Sequence, residues 1–258
     1  MWRLYIIYHR YIKPEFHQVD PAFSFEKIHL LQASGYQIQK GFPRDYTSQG
    51  YITLKESDFG EYDPSLQKKK YFAPSVLYHV YKNNWYPTNY IGFLEYDFEL
   101  KVSKRDCLKL GINPEGFGES ISQYLEEHLQ KGRIIALSTR WRLQELNAQG
   151  SIKVGDVHWL TYFVKQYNLW CEASQVDKEA LLKENPIIPT QQSFICDIES
   201  FKKIMKFIVY LIDNSLLEKS RPIPATLLER YIGLCIHLCD SEVVYLPLTH
   251  KAHHGYTL

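Results

Sequence analysis

Asn89-Tyr-Ile-Gly-Phe-Leu-Glu-Tyr-Asp-Phe-Glu-Leu100 is the stretch on which the fold turns. Tyr90 to Leu94 is an unbroken apolar run, the pattern of a strand buried on both faces. It runs straight into Glu95, Asp97 and Glu99. Carboxylates at the end of a buried strand are costly to desolvate unless they serve a purpose. Just upstream, Ala73, Val76, Leu77, Val80 and Tyr81 fall at helical spacing. Pro74 suits the first turn of that helix, and Asn83-Asn84 with Pro87 supply its stop.

Further out, Arg3-Leu-Tyr-Ile-Ile-Tyr8 reads as a buried first strand closed by His9-Arg10. Residues 20 to 35 read as a short helix ending at Gly35, and Gln39 to Lys70 as loop and hairpin, punctuated by Gly41, Pro43, Gly50, Gly60 and Pro64. Downstream, residues 117 to 131 form an amphipathic helix and Arg133 to Leu137 a second buried strand. Gly155 to Cys171 is predicted as a helix, Glu184 to Pro189 as a linker, and Ser193 to Leu217 as a short strand followed by a long helix. A last helix, Pro224 to Cys239, leads into the strand Val243 to Leu246 and a His-rich tail.

This alternation predicts an α/β fold, one domain over residues 1–258 with a mixed, largely parallel central sheet flanked by helices. Ligands of such sheets sit at the carboxyl ends of strands. His9-Arg10 and Glu95-Tyr96-Asp97 occupy that position.

Composition narrows the function classes. The 258 residues are 45% hydrophobic and 15% aromatic, which excludes a disordered or coiled-coil chain. A formal charge of +1 gives no field to hold nucleic acid or an anionic membrane, so any phosphate site must be local. The odd cysteine number, 5, with no CxxC pair fits reduced thiols. No signal peptide and no membrane-length apolar run is evident, so the expectation is a soluble cytoplasmic protein with no nucleic-acid partner and no transmembrane segment.

Glu95 and Asp97, at i and i+2, lie on one side of an extended chain, where they suit Mg²⁺ or Mn²⁺ bridging a diphosphate, or simply face water. His250, His253 and His254 in the tail either complete such a site or belong to a solvated terminus. Cys235-x-His237-x-Cys239 lies in a helical pattern where i and i+2 point apart, so Cys235 and Cys239 read as core. The Lys68-Lys-Lys70 run reads as a solvated loop or an acceptor contact. Ser138-Thr-Arg-Trp141 places hydroxyls, a guanidinium and an indole where a ligand rim would be. The P-loop, GxGxxG, GxSxG and HExxH motifs do not occur.

Tyr71-Phe-Ala-Pro-Ser-Val-Leu-Tyr-His-Val-Tyr-Lys82-Asn83 followed by Asn89 to Asp97 resembles the helix and acidic strand end of a glycosyltransferase-like family encoded with capsular polysaccharide genes. Phe194 to Leu238, with Leu227-Leu-Glu-Arg230, resembles that family's closing helices. The resemblance implies a GT-A-type fold with a nucleotide-sugar-binding half, residues 1–100, and an acceptor-binding half, residues 101–258. It implies Tyr8, His9 and Arg10 at the base and ribose, and Lys82 and Asn83 near the nucleotide or as a buttress of the acidic loop. Glu95-Tyr96-Asp97 stands at the place of a DxD motif, with Glu replacing the first Asp. Asp97 would then be the main ligand of Mn²⁺ or Mg²⁺, with Glu95 facing the ribose or the metal and a tail histidine, His250 or His253, completing the coordination.

The implied activity moves a sugar from a nucleotide diphosphate sugar to a carbohydrate hydroxyl, with inversion preferred. Glu229 or Asp156 would serve as the base, although Glu229 equally suits an ion pair with Arg230 and Asp156 a helix N-cap. Trp141 and Trp159 are candidates for stacking on sugar rings, with Arg140 beside them. A binding module without turnover and a nucleotide-sugar hydrolase are the alternatives on the same fold.

Overall fold

The computed structural model describes residues 1–8, 27–33, 51–95, 124–137, 140–173, 175–190 and 192–245. At its centre is a seven-stranded sheet. Its strands are β1 (Trp2–Tyr8), β2 (Ile28–Gln32), β3 (Thr53–Lys55), β4 (Tyr90–Glu95), β5 (Arg133–Ala136), β10 (Phe194–Asp197) and β12 (Glu242–Tyr245), in the order β12-β5-β10-β4-β1-β2-β3. The β1–β2, β1–β4, β2–β3 and β5–β12 pairs are parallel. β10 alone runs against its neighbours β4 and β5.

Burial on both faces explains the unbroken apolar runs of β1, β4 and β5. Tyr5, Ile7, Phe93 and Phe194 face one layer of the core, whereas Leu4, Ile6, Tyr8, Leu94, Leu137 and Ile195 face the other. The first layer is covered by α2 (Ala73–Lys82), α6 (Ile198–Asp213) and α7 (Pro224–Leu238). A short helix, α1 (Ser65–Lys68), precedes α2. Gly92 permits the close β4–β10 seam, since a Cβ there would stand 2.7 Å from Ile195 Cβ. Asp197 ends β10 and starts α6 at once: its carboxylate accepts from Ser200 N at 3.0 Å and from Gly132 N at 2.9 Å.

Two smaller sheets complete the second half. β6 (Arg140–Arg142) pairs antiparallel with β9 (Ile187–Pro189). β7 (Lys153–Val154), β8 (Val157–His158) and β11 (Ser220–Arg221) form the other. Around them lie α3 (Leu143–Asn147), α4 (Trp159–Trp170) and α5 (Lys178–Glu184).

Several sequence expectations need correction. Ile28–Gln32, expected within a helix, is strand β2, because all five residues are buried between β1 and β3. The helix expected from Gly155 begins at Trp159; Gly155-Asp156 is the two-residue turn of the β7–β8 hairpin, with Gly155 at φ +59°. The expected linker at 184–189 contains β9, whose Pro189 pairs at the strand end facing Arg140. Residues 124–128 are helical, as expected there.

Candidate active site at the carboxyl edge of the sheet

The strand order places the candidate site. β1 lies between β2 and β4, so the chain leaves β1 in opposite directions to reach its two parallel neighbours, and a crevice opens outside the strand ends at that reversal. The two strands that meet there are β1, ending at Tyr8, and β4, ending at Glu95. Their register sets Glu95 beside Ile7, one residue from Tyr8. Ala33 N donates to Tyr8 O at 2.9 Å, so the end of β2 closes one side. Because β10 runs the other way, its approach, Gln192-Ser193, reaches the same edge, and Leu137 N donates to Ser193 O at 2.8 Å.

The structure brings Tyr8 and Glu95 to this edge. Glu95 is half-buried. The Tyr8 ring, by contrast, is only 1% exposed and packs among Leu94, Leu137 and Leu30, so it supports the edge from within the core and does not reach out toward a base. His9, Arg10, Asp97, His250 and His253 lie outside the described residues. Among the described residues no group of three or more His, Cys, Asp or Glu is placed to hold a metal.

Lys82 and Asn83 stand on the chain that enters β4, not on the chain that leaves it, and both are engaged. Lys82 Nζ donates to Asp213 at 3.3 Å. The same carboxylate accepts from the Tyr78 hydroxyl at 2.7 Å; burial first, and Asp213 second, push that phenol well above its ordinary value. Asn83 Oδ1 accepts from Glu61 N at 2.8 Å, and its Nδ2 donates to Glu61 O and His79 O. These contacts tie the end of α2 to the segment before it and to the end of α6.

Trp159 is 0% exposed, enclosed with Phe163 and Tyr231, whose hydroxyl donates to Trp159 O at 2.9 Å. No face of its indole is open to a sugar, so the stacking role expected from the sequence does not fall to this residue. Trp141 is 42% exposed on β6, just beyond the carboxyl end of β5. Arg140 is the first residue of that strand.

Asp156 is exposed in the hairpin turn and caps no helix; the N-cap of α4 is His158. The His158 ring accepts from Leu160 N through Nδ1 and donates from Nε2 to Asn147 O at 3.1 Å, and burial lowers its pKa. Glu229 is half-buried in the first half of α7. Burial drops the pKa of its neighbour Arg230 below the usual guanidinium range, and the Glu229 charge opposes that fall. Arg230 donates to Gln149 Oε1 at 2.6 Å and to Thr226 O at 2.9 Å. α7 runs back toward the start of β12, where Glu242 N donates to Gly132 O, so its first turns, with Glu229, lie toward the carboxyl side of the sheet.

Gln192 and Ser193, which sequence inspection did not single out, are 1% and 0% exposed, and the Gln192 Oε1 and Nε2 and the Ser193 Oγ have no hydrogen-bond partner among the described residues. A Gln-Gln-Ser run carries no periodic signal, and only the antiparallel insertion of β10 shows that it reaches the sheet edge.

No family model and no curated protein matches this sequence. Among solved structures, the chain is similar to the WbbM bifunctional glycosyltransferase in its apo form, with a TM-score of 0.53 and 15% identity. The match covers 97% of this chain and 45% of that one, so the chain spans less than half of that protein. At this identity the likeness defines the class of fold: a mixed α/β architecture shared with a glycosyltransferase. Among the described residues, no helix is long and apolar enough to cross a membrane.

Proposed function

We propose that this protein is a GT-A-type glycosyltransferase that moves a sugar from a nucleotide diphosphate sugar to a carbohydrate hydroxyl, with inversion at the anomeric carbon. The observation that carries the proposal is the strand-order reversal that sets the Tyr8 and Glu95 ends side by side, in a fold shared along almost the whole chain with a glycosyltransferase. A nucleotide diphosphate fits such a crevice because it needs a local site, and the chain has no long-range positive field.

Glu95 supplies a hard oxygen ligand at the strand end, which suits Mg²⁺ or Mn²⁺; Asp97, with His250 or His253, would complete the set. The cation, when bound, offsets charge on the departing diphosphate. In the transfer, the acceptor oxygen forms a bond to the anomeric carbon as the bond from that carbon to the diphosphate oxygen breaks. The acceptor proton passes to a carboxylate, for which Glu229 is favoured over Asp156 because it is half-buried beside Arg230, whereas Asp156 is exposed in a turn. Trp141, with Arg140 next to it, is the candidate platform for the acceptor. The described cysteines, Cys171, Cys196, Cys235 and Cys239, are all free thiols, in keeping with action in the reducing cytoplasm.

Thermal-shift measurements with UDP-, GDP- and other nucleotide sugars, with and without Mn²⁺, test this reading. The expected result is a metal-dependent stabilisation by at least one donor that Asp97→Ala removes. A complete absence of response to every nucleotide sugar refutes the donor site, and an unchanged response in Asp97→Ala refutes the metal assignment.

A further inference from the structure

The small sheet, in the order β11-β7-β8, carries a row of basic side chains. In its ladder Arg221 stands directly opposite Lys153, and Lys153 directly opposite His158. Opposite residues of antiparallel strands point to the same face, and neighbouring strands lie about 5 Å apart, so the three share one face within about 10 Å. That face is the open one: Lys153 and Arg221 are exposed, whereas Val154, the next residue along β7, is buried. Lys178, the first residue of α5, joins the row from the side. Burial first, then the Lys178 and Lys153 ammonium charges, lower the His158 pKa, so both lysines stand close to that ring.

Like charges set directly opposite on a ladder repel and weaken it. Other surface cations of the chain are relieved by carboxylates, Lys27 by Glu126, Lys69 by Glu218 and Lys202 by Glu199. Among the described residues Lys153, Lys178 and Arg221 form no ion pair, although Asp156 lies in the turn that follows β7. An uncharged β-branched pair would serve the ladder better, so the row fits a ligand that brings the missing negative charge.

The layout selects that ligand. Cations ranged side by side over two strands and a flanking helix suit charges that recur along a chain, whereas a single phosphate is held by groups converging on one point. A chain has a route to the row. Trp141, the candidate acceptor platform, is followed by α3, 5 residues and about 8 Å long, and the carbonyl of its last residue, Asn147, accepts from His158 Nε2 at 3.1 Å. A carbohydrate stacked on Trp141 needs only a few further rings to span that distance.

We propose that Arg221, Lys153 and Lys178 form a docking surface for an anionic glycan acceptor, a carbohydrate chain bearing carboxylate or phosphate groups. This rests on the transferase reading above, and deepens it by giving the class of acceptor.

Calorimetric titration of the full chain with a short oligogalacturonate and a phosphorylated oligodextran, each beside its neutral counterpart, the methyl ester and the plain dextran, tests the surface. The variants are Lys153→Thr combined with Arg221→Thr, and Lys178→Gln alone. Expected is binding of at least one anionic oligomer, weakened by added NaCl, with its neutral counterpart at least about 10-fold weaker. The double variant loses about 10-fold in affinity for that oligomer and Lys178→Gln somewhat less. Neither variant unfolds at a lower temperature than the natural protein, because the ladder loses a repulsion or is left untouched. If the double variant does not fold, Lys178→Gln, outside the ladder, supplies the readout. Equal affinity of variants and natural protein, or equal binding of charged and neutral oligomers, overturns the assignment. Single-stranded RNA bound as tightly as the glycan, and lost in the same variants, also overturns it, since that marks an unselective polyanion patch. The thermal response to nucleotide sugars keeps the two readings apart. Where that response is present and no anionic oligomer binds, this inference alone falls; where both are absent, the transferase reading falls with it.

Discussion

Asp197 shows how much one side chain contributes at a junction. Burial alone would raise its pKa, but Gly132 N–H, Ser200 N–H and the Ser200 hydroxyl, the last at 2.8 Å, outweigh it and hold the carboxyl below its ordinary 3.8. A depressed folded-state value means that the unfolded chain binds the proton more readily. The contribution to stability is complete above the unfolded value, near pH 4, and is lost as pH falls through the lower folded one. Asp197→Asn replaces one accepting oxygen by a donor facing other donors. It is expected to cost about 1–2 kcal/mol at pH 7 in urea unfolding, with the difference from the natural protein shrinking as the pH drops below about 3. A difference as large at pH 2.5 as at pH 7 would show that the charge is not what matters. The two tryptophans mark what sequence leaves open at this scale. Trp141 and Trp159 both stand near polar residues in the second part of the sequence, and nothing local separates an indole on a strand face open to water from one sealed under α7.

Elements were legible where apolar pattern and length agreed. α2, α6 and α7 have helical spacing over ten residues or more, and β1, β4 and β5 are short runs too apolar for a surface. β2 was misread because Ile28-His-Leu-Leu-Gln32, buried on both faces, has no alternation to distinguish it from a helix turn. The attachment of α2 was invisible in sequence, because it depends on a side-chain cluster spread over residues 56 to 79. Glu56 Oε1 lies 2.7 Å from His79 Nδ1 and 2.6 Å from Ser75 Oγ, and Oε2 accepts from Gln67 Nε2 at 3.0 Å. His79 Nε2 accepts from Asp63 N at 2.9 Å, which fixes its proton on Nδ1, facing Glu56. All four side chains are buried, so the cluster is a clasp holding α1 and the 3₁₀ turn Glu56–Asp58 onto α2. Glu56→Ala takes the acceptor from His79 Nδ1, while Ser75 Oγ and Gln67 Nε2 keep Phe72 O, and is expected to cost about 1–3 kcal/mol in urea unfolding. A loss under 1 kcal/mol would mean that the clasp relaxes to water at little cost.

At the scale of the whole molecule, the central sheet has a seam. β3, β2, β1 and β4 come from the first part of the chain, β10, β5 and β12 from the second, and the two blocks join where β4 pairs with β10. The seam is as apolar as any part of the core. Phe93 faces Phe194 across it and stacks on Phe201 of α6 at 5.5 Å, while α2 of the first part packs against α6 and α7 of the second. Separating the parts would expose an unpaired strand edge and the face beneath α6 together, the combination that drives aggregation in place of independent folding. The candidate site draws on both parts as well, since Glu95 belongs to one and Glu229 to the other. Fragments 1–100 and 101–258, expressed separately, are therefore expected to show no cooperative thermal transition and no nucleotide-sugar response, whereas co-expression restores both. A fragment 1–100 that unfolds cooperatively alone would mean that β10 docks on a preformed unit and that the first part of the chain is stable without the seam.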